Sequence, residues 1–289
     1  MFDQYVGIDW SGAKAPQRSH SIAYAKCNAN TICAPNCNSE KLSRTDIFNK
    51  LCKLVEHSKR TLVGIDCNFG YNINVGKKQF GDDANNLDLW NTVERLNTKY
   101  TNFFAGDFWQ QKPYSDYFWT HGKQPGWFNT NELRRKTECK AKEQRLGIPE
   151  SPFKLIGAKQ VGKGGLAGMR LIHNLKLQFG DKIAIWPFEQ NNLEKAQLVI
   201  TEIYPRLFIR VAGFGNEKIR TYDDLNTILD HFNLNSIGSS ESLNDHLTDA
   251  IIASAGLKWF CENGYNLTTI PLPDDAINFE GWIFGVNPT

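Results

Sequence analysis

The chain has 289 residues, 41% of them hydrophobic and 22% charged, the balance expected of a soluble globular protein with a sizeable core. No run of about 18 apolar residues is present, which excludes a membrane-spanning helix, and the N-terminus enters a strand pattern without a charged-then-apolar leader. The formal charge of +2 is unevenly spread: 13 Lys and Arg face 5 Asp and Glu between Lys112 and Lys176, whereas 10 Asp and Glu face one Lys from Asp223 to Thr289.

In chain order, residues 4–9 read as a strand, "SHSIAYAKC" (19–27) as a second and "ICAP" (32–35) as a short third. The spacing of Ile47, Leu51, Leu54 and Val55 predicts a helix over 44–58, capped at Thr45 or Asp46. "TLVGIDCNFG" (61–70) repeats the opening signature, an apolar strand closing on Gly-Ile-Asp. Residues 71–160 show weak periodicity and read as a loop-heavy, aromatic insertion, with a basic helix near 131–147. A glycine-rich turn then enters a helix over 162–180, followed by a strand at 183–189, another within 196–208 and a short helix at 222–232. The clearest helix is 242–264, capped at Ser242 or Asn244, and "EGWIFGV" (280–286) suggests a last strand. No repeat or linker divides the chain, so the expectation is a single α/β domain over 1–289 with one large insertion.

Acids recur at the ends of these elements: Asp9 and Asp66 close their strands, Glu202 lies on a later one, and Asp245 and Asp249 share a face of the last helix. In an open α/β sheet ligands bind beyond the carboxyl ends of the parallel strands. Several converging carboxylates are the donor set of Mg²⁺ or Mn²⁺, ions that assist phosphodiester cleavage in pairs. Read singly, Asp9 is a turn residue, Glu202 pairs with Arg206, and Asp245 is an N-terminal helix charge.

Further candidates carry less context. Ser11 and Lys14 follow Asp9, and Lys163 lies in "QVGKGGLAG", which lacks the G-x4-G-K-[ST] spacing of a phosphate loop and suits close packing better. His246 is a proton shuttle or plain surface, with surface favoured. Arg134, Arg135 and Lys136 follow Trp109, Trp119, Trp127 and Phe128, a mixture that suits phosphate contacts and base stacking, or else a satellite core. Cys27, Cys33, Cys37 and Cys52 lack a C-x2-C pair, so the seven cysteines are expected as free thiols in a reducing cytoplasm.

Taken in order, "VGIDWSGAK", "VGIDCNFG", "QVGKGGLAGM", "WPFE", "TEIYPR", "DHLTDAIIASA" and "EGWIFGV" resemble the uncharacterised family described as predicted RNase H-like nucleases. The resemblance runs from the first strand to the C-terminus and is weakest across the insertion. It implies a ribonuclease H-like mixed sheet flanked by helices, and a metal-dependent nuclease acting on DNA or RNA. It carries Asp9 to the acid that bridges two metals, Glu202 to the later-strand ligand and Asp249 to the last-helix ligand, with Asp66 and Asp245 in supporting positions. Ser11, Lys14, Arg134, Arg135 and Lys163 are the candidate substrate contacts on their own positions and chemistry, apart from the resemblance. The chain departs from the family at Cys67-Asn68, where an apolar pair is usual. Two other functions stay open: a nucleic-acid or protein-binding module without turnover, and an actin-like phosphotransferase using ATP, which needs a second domain.

Overall fold

The computed structural model describes residues 2–16, 21–33, 41–157, 161–215, 217–238 and 243–289. Strand β1 (Gln4–Asp9) is buried at every position because it lies mid-sheet with helices on both sides. Strand β2 (Ala23–Asn28) runs antiparallel to it, pairing Tyr5 with Cys27 and Asp9 with Ala23, and β3 (Thr31–Cys33) adds an antiparallel edge. Helix α1 (Arg44–Glu56) starts at a Ser43–Asp46 capping box, two residues before Thr45, the nearer of the expected caps. Strand β4 (Thr61–Ile65) returns parallel to β1 with Gly7 opposite Gly64.

The segment read as loop-heavy contains two helices, α2 (Ile73–Phe80) and α3 (Asn86–Asn97). Both are capped by asparagines, Asn72 and Asn85, and α3 buries Leu89, Trp90 and Val93. Irregular backbone dominates only from about residue 98, and the basic helix shortens to α4 (Lys136–Glu143). Helix α5 (Gly162–Phe179) leads to β5 (Ile183–Ile185), and β6 (Leu198–Glu202) lies between β5 and β4, parallel to both. The strand stops at Glu202 because Pro205 opens α6 (Pro205–Val211), a position where the missing N–H costs nothing. Helices α7 (Tyr222–His231) and α8 (Asp245–Glu262) follow, with Asn244 as the α8 cap; Ser242 lies outside the described residues, as do Ser19 and His20 of the second strand and residues 34–35 of the third. The expected last strand is absent: a π-helical turn, Ala276–Glu280, is followed by a single bridge from Ile283 to Glu202.

The result is an α/β fold with one mixed sheet in the order β3-β2-β1-β4-β6-β5. One core joins Val6, Ile8, Ile65 and Ile200 to α1, α3 and α5; the other joins Tyr5, Leu62 and Val199 to α6, α7 and α8. Glycines set the second layer's distance: a Cβ on Gly7 would sit 2.2 Å from the Ala250 carbonyl oxygen. The "VGID" glycine thus lets α8 lie directly on β1. Among the described residues no helix is long and apolar enough to cross a membrane.

Candidate functional site

Strand alternation sorts the acids before any chemistry does. Along β1, Tyr5, Gly7 and Asp9 share the face covered by α8; along β4 that face carries Leu62 and Gly64 and continues to Asp66. The Asp66 N–H donates to the Ile8 carbonyl oxygen at 2.9 Å, which extends the ladder one residue and fixes this acid beside Asp9. Asp249 is on α8, one residue before Ala250, whose carbonyl touches the Gly7 backbone. Three carboxyls from three elements therefore lie within electrostatic reach of one another at the strand tips.

Their electrostatics follow from crowding. Burial pushes Asp66 well above the usual carboxylate range, and Asp9 and Asp249 push it further. Burial and Asp9 raise Asp249 to about 7, against a smaller opposing pull from Arg206. Burial also raises Asp9, offset in part by His246, whose Nδ1 donates to Asp9 Oδ2 at 2.5 Å. The same bond raises His246 above its ordinary value. Among the described residues neither the Asp66 nor the Asp249 carboxyl has a hydrogen bond or ion pair.

Glu202 does not join them. It follows Leu198 and Ile200 on the opposite face of β6, is 1% exposed, and is gripped by Arg135 through two bonds of 2.8 Å. The Phe69 N–H adds a third at 2.7 Å, so its oxygens are engaged. Burial raises its pKa and Arg135 opposes that shift. The expected partner, Arg206, instead donates to the Glu217 carbonyl oxygen at 2.7 Å. Asp245 sits at the first position of α8, turned to a half-exposed ion pair with Lys218.

The candidate substrate contacts scatter. Arg135 is buried beneath the cleft with Glu202 and Glu138, and Arg134 donates to the Pro149 carbonyl oxygen at 3.1 Å, so neither presents its charge on an open face. Ser11 Oγ accepts from the Ala13 N–H, Lys14 is exposed, and Lys163 lies 5.8 Å from the Trp109 ring. Phe128 and Trp109 are buried in the core that also holds Val6 and Ile8, not in a separate satellite core, and Trp127 is exposed. The glycine-rich turn is a packing device: added methyls at Gly165 and Gly168 would strike Asn68 and Cys67, while Gln160 lies outside the described residues.

A cleft of about 720 Å³ opens at these strand tips, lined by Asp66 and Asp249 and by Arg206, Arg210 and Lys218. Sequence reasoning missed that cationic row, and it favoured the surface for His246. The only signal for His246 was its spacing three residues before Asp249; nothing local marks the cations, which come from α6 and the segment after it. The carboxyl set is all-oxygen and suits a hard divalent cation. Among the described residues, however, no three His, Cys, Asp or Glu side chains are gathered closely enough to hold one. The six described cysteines are free, and Cys37 lies outside those residues. Comparison with protein-family models, with curated proteins and with solved structures found no match.

Proposed function

We propose that this protein hydrolyses phosphodiester bonds in nucleic acid with the help of a divalent cation, Mg²⁺ or Mn²⁺, on a ribonuclease H-like sheet. The observation that carries the reading is the pair of partnerless, part-buried carboxyls, Asp66 and Asp249, beside Asp9 at the tips of parallel strands. Like charges so placed oppose folding unless protons or a cation neutralise them. The sheet order supports the fold reading: three antiparallel strands continue into parallel ones, with the acids at the carboxyl ends where α/β sheets bind ligands.

In this reading Asp9, Asp66 and Asp249 would hold the cation, and Glu202 is removed from the set. A cation held there would supply an activated water and stabilise the leaving oxygen. The chain's own residues do the rest. His246 holds a proton at Nδ1 against Asp9 Oδ2, so freeing that oxygen requires His246 to swing away or release Asp9. The Arg135–Glu202 pair, anchored to the Phe69 N–H, fixes the cleft floor. Arg206 faces Asp249 with a charge that substrate phosphate can share.

A second reading, a nucleic-acid-binding module without turnover, is favoured by the engaged Asp9 oxygen and by the spread of the carboxyls. The actin-like reading has less support, since a single sheet is present among the described residues. Calorimetric titration of Mn²⁺ into metal-free protein separates the first two. Saturable binding, lost in Asp66→Asn and in Asp9→Asn, is expected. No binding by the wild type, with or without an added oligonucleotide, sinks the metal-dependent reading.

A further inference from the structure

The charged residues lining the cleft divide sharply. Arg135 aside, its cations are Arg206, Arg210 and Lys218. They form one contiguous row. Arg206 and Arg210 are a helical turn apart on α6, and Arg206 donates to the carbonyl oxygens of Glu217 and Gly215, which draws the Lys218 segment alongside. Every other charged residue of the lining is acidic: Asp66, Glu138, Glu150, Glu202 and Asp249. The Lys218–Asp245 pair is half-exposed at both ends, so it is weak and a phosphate can displace Asp245. Beside the cations the lining turns apolar. The Tyr204 ring lies against Gly147, and the neighbouring Ile148 is 58% exposed.

We propose that this row holds the backbone of a single nucleic-acid strand, with an unpaired base against Tyr204 and Ile148, so that the site takes single-stranded and not duplex substrate. The inference rests on the nucleic-acid reading above and narrows it. One row of cations matches one row of phosphates. A duplex brings a second row, which would find no further unburied cation in the lining and would lie over Asp66, Asp249 and Glu150 instead. Duplex bases are also stacked away, leaving the apolar lining without a partner, whereas unpaired bases stack on such surfaces irrespective of sequence.

The test is binding, read by fluorescence anisotropy in EDTA so that no cleavage occurs. The probe is a labelled oligothymidylate of about ten residues, alone and annealed to oligodeoxyadenylate. The single strand is expected to bind at least tenfold tighter than the duplex. Arg206→Gln with Lys218→Gln should weaken binding tenfold or more and flatten the salt dependence by about 0.7 in log–log slope per charge removed. Arg206→Lys should retain affinity within about threefold, and matching melting temperatures show that the Gln variants are folded. Equal or tighter duplex binding, unchanged affinity in the folded double variant, or no saturable binding at low salt overturns the proposal. Binding as expected without cleavage when Mg²⁺ or Mn²⁺ is added leaves this proposal standing and removes the hydrolytic one.

Discussion

At the scale of single residues, the acids separate into three kinds by what surrounds them. Asp249 is a charge held against its will: about 3.8 when unfolded and about 7 when folded. The folded chain keeps a proton there that the unfolded chain has lost, so stability is fully present below about pH 4 and falls as pH rises to about 7. In EDTA, Asp249→Asn should match the wild type in urea melts near pH 4 and exceed it by about 2 kcal/mol near pH 8, since the full shift is moderated by water reaching the cleft. An Asn variant that is never more stable argues against crowding. Glu202 is the opposite kind, a buried acid already answered by Arg135. Glu202→Gln should cost about 3 kcal/mol by leaving that arginine under-compensated, yet keep Mn²⁺ affinity within about threefold of wild type. Loss of Mn²⁺ binding comparable to that of Asp66→Asn would return Glu202 to the ligand set. Asp245 is the third kind, an exposed helix-start charge.

At the scale of elements, the cluster depends on how closely α8 lies on the sheet. The helix brings Ala250, Ala253 and Ser254 against Gly7, and the Asp249 carboxyl rides with them. At Gly7 the nearest atoms are α8 backbone, which cannot step aside, whereas at Gly64 the nearest is a side-chain methyl of Ile203, 2.4 Å from an added Cβ. Gly7→Ala should therefore cost about 2–3 kcal/mol and weaken Mn²⁺ binding as α8 is pushed off β1, and Gly64→Ala should do less of both. Urea melts and the same calorimetry read both effects; equal penalties at the two glycines contradict this account. The glycines of α5 act likewise on the other face, letting its first turns sit on Asn68 and Cys67.

At the scale of the molecule, the inserted segment is part of the core's charge balance. Its Arg135 reaches under the cleft to Glu202 on β6 and also donates to the Glu280 carbonyl oxygen at 2.6 Å near the C-terminus. Helix α3 lies against α5, and Arg170 of α5 pairs with Glu94 of α3 at 2.7 Å. Excising residues 82–157 should leave Glu202 buried and unpaired, and the product should lose its near-ultraviolet circular dichroism and cooperative melting. A deletion variant that still melts sharply would show the segment to be an appendage. Of the basic middle of the sequence, Arg135 and Arg170 are used in such internal pairs, whereas Lys112, Lys123, Lys142 and Arg145 stay exposed.

What the sequence by itself determined was the sheet and its tips. Two "VGID" strands, helical spacing at 44–58 and 242–264, and the order of the elements are local or periodic signals, and each describes a short piece of chain correctly. The helices of the insertion were less legible because α2 is only 8 residues long and both it and α3 rely on asparagine caps. The composition of the site was decided only in three dimensions. Glu202 and Asp66 sit at neighbouring strand ends, yet side chains alternate along a strand, and the parity of each acid in the final register puts one on each face of the sheet. Arg135 and Glu202, 67 residues apart, meet only because the insertion folds back under β6. His246 and Asp9, 237 residues apart, meet because α8 closes on β1 through Gly7. Pairings at such separations leave no periodic trace, because they depend on which elements become neighbours once the two cores are buried.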